Sequence, residues 1–150
     1  MALDYNTGFS SAEISIIVHA TENEQRILDS LCNIFSISVN RFSFIQSAGH
    51  WGNKIILLTA RLGSSEANVL FKKIMASLNS LEKNYISNFY ANYKDEKGNL
   101  YIRLDKQRIC QGKVSLSEID SIRFRFRPVK RFYLGKSTAS DSRRPLTSRQ

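Results

Sequence analysis

Cysteine, histidine, proline and long apolar runs are all scarce in this chain, and each scarcity excludes a class of protein. Of 150 residues, 2 are Cys, 2 are His and 2 are Pro. Cys32 and Cys110 have no CxxC partner, and with only His19 and His50 beside them they cannot build a zinc ribbon or finger. No structural metal and no cofactor is therefore expected. No apolar stretch approaches the ~20 residues that cross a bilayer. The opening MALDYNTGFSSAE lacks the basic region and the apolar stretch of a signal peptide. The expected setting is the cytoplasm, away from membranes, with both thiols reduced.

Catalytic signatures are missing as well: there is no Walker loop, GxSxG, HExxH or paired-carboxylate pattern. His19, His50, Asp105, Lys106 and Cys110 are the only tempting ingredients, and no local motif joins them. The chain is accordingly read as a non-enzyme. His19, inside an apolar run, is expected to be a satisfied core or edge histidine.

Acid is the scarce charge. Against 22 Lys and Arg there are 13 Asp and Glu, a formal net charge of +9 with a pI near 9.8. Such a balance favours a polyanionic partner. Hydrophobic and charged fractions of 42% and 23% are ordinary for a folded protein, and the length suits one domain. Residues 128–150 carry six Lys or Arg against the single acid Asp141, which leaves +4 of the +9 for residues 1–127. Rich in Ser and Thr, that tail is expected to be disordered. The chain thus divides into a polar N-terminal segment (1–13), an α+β domain (14–127) and a basic tail (128–150).

Periodicity predicts a strand over 14–20 and a helix over 22–36, opened by the capping-box spacing of Thr21 and Glu24. A period of two over 40–49 and the near-continuous apolar run over 54–62 predict a hairpin around Gly49–Asn53. A helix capped by Ser64 or Ser65 follows, to about residue 78. Asn79 and Glu82 restart a shorter one to about residue 89. Asp95–Asn99 reads as a turn, 100–105 as a half-buried strand, and 113–116 and 121–127 as two more strands. The predicted class is a single α+β domain, order β-α-β-β-α-(α)-β-β-β, with a mixed or mostly antiparallel sheet covered by helices on one face.

The most informative pattern is IRFRFRP, residues 122–128. Strand geometry sets Ile122, Phe124 and Phe126 on one face and Arg123, Arg125 and Arg127 on the other, about 7 Å apart. That spacing is roughly one phosphate repeat of a single nucleic-acid strand; the same pattern also suits a charged edge strand that resists aggregation. Arg41, Arg61 and Arg103 fall in predicted strands, Lys54 opens one, and Lys106, Arg108 and Lys113 cluster after another. Spread charge of this kind fits phosphate contact without fixed spacing. His50 and Trp51 lie between Gly49 and Gly52, where Trp51 either stacks on a base or plugs the end of the core, the commoner fate of a lone tryptophan.

The segments VHATE (18–22), GHWGN (49–53), LYIRLDKQ (100–107) and IRFRFRP together resemble an archaeal family of RNA-binding or exosome-associated domains. The resemblance spans residues 12–128. It implies an archaeal source and a fold like that of the ribosomal large-subunit protein that holds the small ribosomal RNA. It also implies RNA as partner, with a link to RNA processing, the exosome or ribosome assembly. The matching positions are His19, Thr21, Glu22, His50, Gly52, Asn53, Leu104, Asp105, Lys106 and Gln107. Trp51 stands where a smaller aromatic such as tyrosine is expected, and the basic tail is a local extension. The leading reading is an RNA-binding module. The alternative is a protein-interaction subunit, even a homodimer or part of an RNA-processing complex, and an RNA-processing enzyme comes last. An exposed apolar patch would favour the second, and convergence of His19, His50 and Asp105 or Lys106 the third.

Overall fold

Alternating apolar residues make strands here, and five of them assemble into one sheet. The computed structural model describes residues 8–129. In chain order these form β1 (Phe9–His19), α1 (Glu24–Phe35), a 3-10 turn (Val39–Arg41), β2 (Phe42–Ala48), β3 (Lys54–Leu62), α2 (Ser64–Ser77) and α3 (Ser80–Asn88). A second 3-10 turn (Tyr90–Tyr93), β4 (Leu100–Asp105), α4 (Lys106–Cys110) and β5 (Ser121–Pro128) complete the domain. The sheet order is β2-β3-β1-β5-β4, and each neighbouring pair is antiparallel. The α+β class with helices on one face is as the periodicity predicts. No described helix is long and apolar enough to cross a membrane.

The core lies between the helices and one face of the sheet. Ile14, Ile16, Ile122, Phe124, Phe126, Ile102 and Leu104 point into it and are fully buried, as are Leu31 of α1 and Ile74 of α2. Phe35 meets Phe124 edge-on at 5.9 Å, and Phe71 meets Phe126 at 5.5 Å. Each such side chain contributes about 1.5–3 kcal/mol on burial, so the apolar half of IRFRFRP anchors the fold while its arginines face away.

Several predicted boundaries are corrected. β1 begins at Phe9, not Ile14, because Phe9 and Ala12 are buried and the Phe9 ring packs 5.1 Å from both Phe71 and Phe126. The supposed polar N-terminal segment therefore enters the sheet from Phe9 onward; residues 1–7, like the tail from 130 to 150, lie outside the described residues. Asn23, not Thr21, caps α1: its Oδ1 accepts from the Arg26 backbone N–H at 3.1 Å. Gly63 occupies the cap position of α2, and Ser64 uses its hydroxyl to bond the Phe9 carbonyl at 2.9 Å. The Asn79 and Glu82 box does cap α3 as predicted.

Residues 113–116 are not a strand. Among them only Leu116 bridges β4, opposite Leu104. The unforeseen α4 precedes them, because the Asp105 carboxylate accepts from the Arg108 N–H at 2.9 Å and turns the chain at the end of β4.

Candidate nucleic-acid interface

Strand alternation leaves the second face of the sheet without helices. On it, register aligns Arg61, Glu13, Arg125 and Tyr101 in one row across β3, β1, β5 and β4. The next row is Ser43, Thr59, Ser15, Arg123 and Arg103. A third row, towards the β2–β3 side, holds Ile45, Leu57 and Ile17. Neighbouring strands stand ~4.8 Å apart and alternate residues ~7 Å apart, so the face is an open lattice, basic on the β4–β5 side and apolar on the β2–β3 side.

Glu13 organises the basic part. Its carboxylate lies 3.3 Å from the Arg125 guanidinium, 3.7 Å from that of Arg123 and 3.4 Å from that of Arg61. Three cations share one anion, which leaves a surplus of about two charges and holds the guanidiniums side by side. Arg123 also donates to the Ser15 hydroxyl at 3.4 Å, while its Nε is buried without a partner. The guanidiniums of Arg103 and Arg123 sit 5.8 and 5.7 Å from the Tyr101 ring. Tyr101 is held in turn by its hydroxyl, which donates to Asp95 at 3.0 Å. Burial tends to raise the Asp95 carboxyl, but hydrogen bonds from Asn99, Tyr101 and Lys97 outweigh it and lower its pKa.

The predicted site residues separate into groups. Arg61, Arg103, Arg123, Arg125 and Arg127 all lie on the open face. Arg41 stands beside Arg61, donating to its carbonyl at 2.8 Å and pairing with Glu66. That short hydrogen bond raises the Arg41 pKa and lowers that of Glu66, so Arg41 is already engaged. His50 and Trp51 form the tip of the β2–β3 hairpin, rings 4.8 Å apart, next to exposed Lys54. Trp51 is 83% exposed. It does not plug the core, because Gly52 at φ 79° turns the hairpin tightly and carries the indole out into solvent. Arg108 and Lys113 are exposed but belong to α4 and the turn after it, and α4 packs against α1 on the helical side of the sheet.

Lys106 is a clear correction. It is 1% exposed, and its ammonium donates to the Ile17 carbonyl at 2.6 Å and to Glu22 at 2.9 Å, and lies 2.8 Å from the Asp120 carboxylate. Buried, and paired with two carboxylates of the protein itself, it offers nothing to a phosphate. Around it two motifs far apart in sequence meet: Glu22 also accepts from Gln107 at 3.0 Å and from the His19 backbone at 2.9 Å. The His19 ring, half exposed at the end of β1, lies 3.6 Å from Asp120. His19, Glu22 and Asp120 are close enough to hold a metal, but the Lys106 ammonium already supplies the cation between the two carboxylates.

Sequence reasoning overlooked Glu13 and Tyr101. Both were visible as odd members of an alternation, Glu13 once β1 is extended back to Phe9, and Tyr101 opposite Leu100, Ile102 and Leu104.

Residues 11–127 match the model of a family described as RNA binding. RNA-binding protein PAB1135 of Pyrococcus abyssi is 32% identical over 114 residues, covering 73% of this chain and 74% of that protein. Protein MJ0213 of Methanocaldococcus jannaschii is 28% identical over 120 residues, covering 75% and 79%. Among solved structures, protein SSO0741 of Sulfolobus solfataricus superposes with a TM-score of 0.65 at 28% identity, covering 77% of this chain and 85% of that one. All three relatives are archaeal, in line with the motif resemblance. This chain belongs to the archaeal RNA-binding family.

Proposed function

We propose that the protein binds single-stranded RNA across the open face of its sheet, without catalysing a reaction on it. The observation that carries this reading is the helix-free face on which β-register lines up Arg61, Arg103, Arg123, Arg125 and Arg127, with Arg61, Arg123 and Arg125 gathered around the Glu13 carboxylate. Preordered guanidinium forks lose little entropy on meeting phosphate. Family membership and the name of the Pyrococcus relative point the same way. Of the candidate catalytic groups, Lys106 is paired with Glu22 and Asp120, Asp105 caps α4, and His50 packs on Trp51. A place in RNA processing, at the exosome or in ribosome assembly, rests on the motif resemblance and not on this geometry.

The test is a titration with labelled single-stranded and double-stranded RNA at several salt concentrations. About four phosphate contacts give a log-log slope near −3. Arg123→Gln with Arg125→Gln should weaken binding more than removal of residues 130–150, which leaves β5 whole. Gln is the better replacement, because Glu would set new negative charge against Glu13. Absence of binding at low salt, or binding lost with the tail and kept in the double variant, would refute the proposal.

A second reading has its own observation: Ile17, Phe44, Ile45 and Trp51 leave apolar surface exposed around the edge strand β2. A second copy or another chain could pair there. Sedimentation of the RNA-free protein distinguishes it, with a concentration-dependent dimer as the supporting result.

A further inference from the structure

Beside the arginine face lies a cleft of about 620 Å³, walled by α3, the Tyr90–Tyr93 turn, the outer strand β4 and residues 116–118. On α3, Leu81, Tyr85 and Phe89 follow one another at i, i+4 spacing and form one stripe. Amphipathic helices normally turn such a stripe inward. Here Ile86 is the buried residue of α3, whereas Leu81, Tyr85 and Phe89 are 78%, 55% and 46% exposed. Tyr85 lies 4.9 Å from Phe89 and 6.3 Å from Tyr93, ring centre to ring centre. The facing wall is Tyr101 and Arg103, which also belong to the arginine lattice.

We propose that this cleft takes an unpaired nucleobase of the RNA strand whose phosphates lie on the arginines, a proposal that rests on the RNA-binding reading above. Aromatic faces stack on any base, and RNA readers use splayed-out bases in this way. Arg103 favours a nucleotide over an apolar peptide, because it brings a phosphate-binding cation to the cleft. Arg103 stands at the cleft and pairs in register with Arg123, so a base in the cleft leaves its phosphates beside the arginine rows.

The three carboxylates of the cleft keep their charge, but two of them already have donors within the fold. Glu82 is occupied by the Asn79 and Leu116 N–H groups, and Asp95 by Lys97, Asn99 and Tyr101. Glu118 remains as an acceptor for the N–H edge of a base. The Tyr93 hydroxyl has its pKa raised by burial, with Tyr85 and Glu118 adding to it, and so stays a neutral donor beside that edge.

The experiment titrates a short fluorescein-labelled oligouridylate carrying one 4-thiouridine into the full chain and then crosslinks it with light. Crosslinks are expected on Tyr85, Phe89, Tyr93 or Tyr101. Tyr85→Ala with Phe89→Ala, folded by circular dichroism, should weaken binding about tenfold with an unchanged salt slope, because stacking releases no counterions. Leu81→Glu, at the exposed mouth, is the companion variant should the double variant unfold, and it should weaken binding too. Wild type that binds while the folded variants bind equally well, with crosslinks elsewhere, overturns the cleft proposal and leaves the RNA reading standing. Wild type that does not bind the oligonucleotide at all refutes both.

Discussion

Lys106→Met should destabilise the fold by about 3 kcal/mol. Methionine nearly matches the lysine stem in volume, so little cavity is left and the loss is that of the ammonium. Its three partners respond differently. Asp120, 41% exposed, regains water, whereas Glu22, 13% exposed, stays largely desolvated with only the Gln107 amide and the His19 N–H as donors. The Ile17 carbonyl loses a bond of 2.6 Å. Breaking a fully buried pair costs ~3–5 kcal/mol, and rehydration of Asp120 sets the expectation at the low end. With an m-value of ~2 kcal/mol/M the urea midpoint should fall by about 1.5 M at unchanged m. Adding Glu22→Gln should recover part of the loss, because the uncompensated charge disappears. A midpoint shift below about 0.3 M, corresponding to ~0.6 kcal/mol, would refute the reasoning. So would a double variant no more stable than the single one.

Other outcomes follow from the open face and its surroundings. Glu13→Gln removes the competing negative charge while its amide oxygen can still accept from Arg61, Arg123 and Arg125, and should tighten RNA binding and steepen the salt slope by up to ~0.7. Unchanged anisotropy titrations would place RNA elsewhere. Trp51→Ala should change stability by no more than ~0.5 kcal/mol, since the indole is exposed. If Trp51 stacks on a base, the same change weakens RNA binding by ~1–3 kcal/mol; thermal melts and titrations of the same sample separate the two effects. Asp95 has a lowered carboxyl pKa in the folded state. Its contribution is therefore fully present above the unfolded value of ~3.9 and is lost as pH falls through the lower folded value. Melts at falling pH should show a smaller acid loss in Asp95→Ala than in wild type, and equal losses would dismiss the Asp95 bonds as a source of acid lability.

Much of this molecule could be read from local pattern. Alternation in IRFRFRP separates Phe124 and Phe126 from Arg123 and Arg125 whatever the partner strands are, because side chains alternate along any strand. The α2 stripe and the Asn79 and Glu82 box are equally local. Local signals failed where tertiary contacts competed with them. Ser64 bonds the Phe9 carbonyl and leaves the cap of α2 to Gly63, and Lys106 turns from solvent to Glu22.

Charge excess, helix and strand periods, the archaeal motif set and the two faces of the arginine strand are all properties of local sequence. Which basic residues share a surface depends instead on how the strands assemble. Lys106 looks like Arg103 in sequence, yet the turn into α4 points it inward between Glu22 and Asp120, 84 residues away in the first case. The sheet order β2-β3-β1-β5-β4 sets Glu13 among three arginines and brings Tyr101 beside Arg123. Pairing across strands depends on which strands become neighbours, and one segment's periodicity carries no information about that choice.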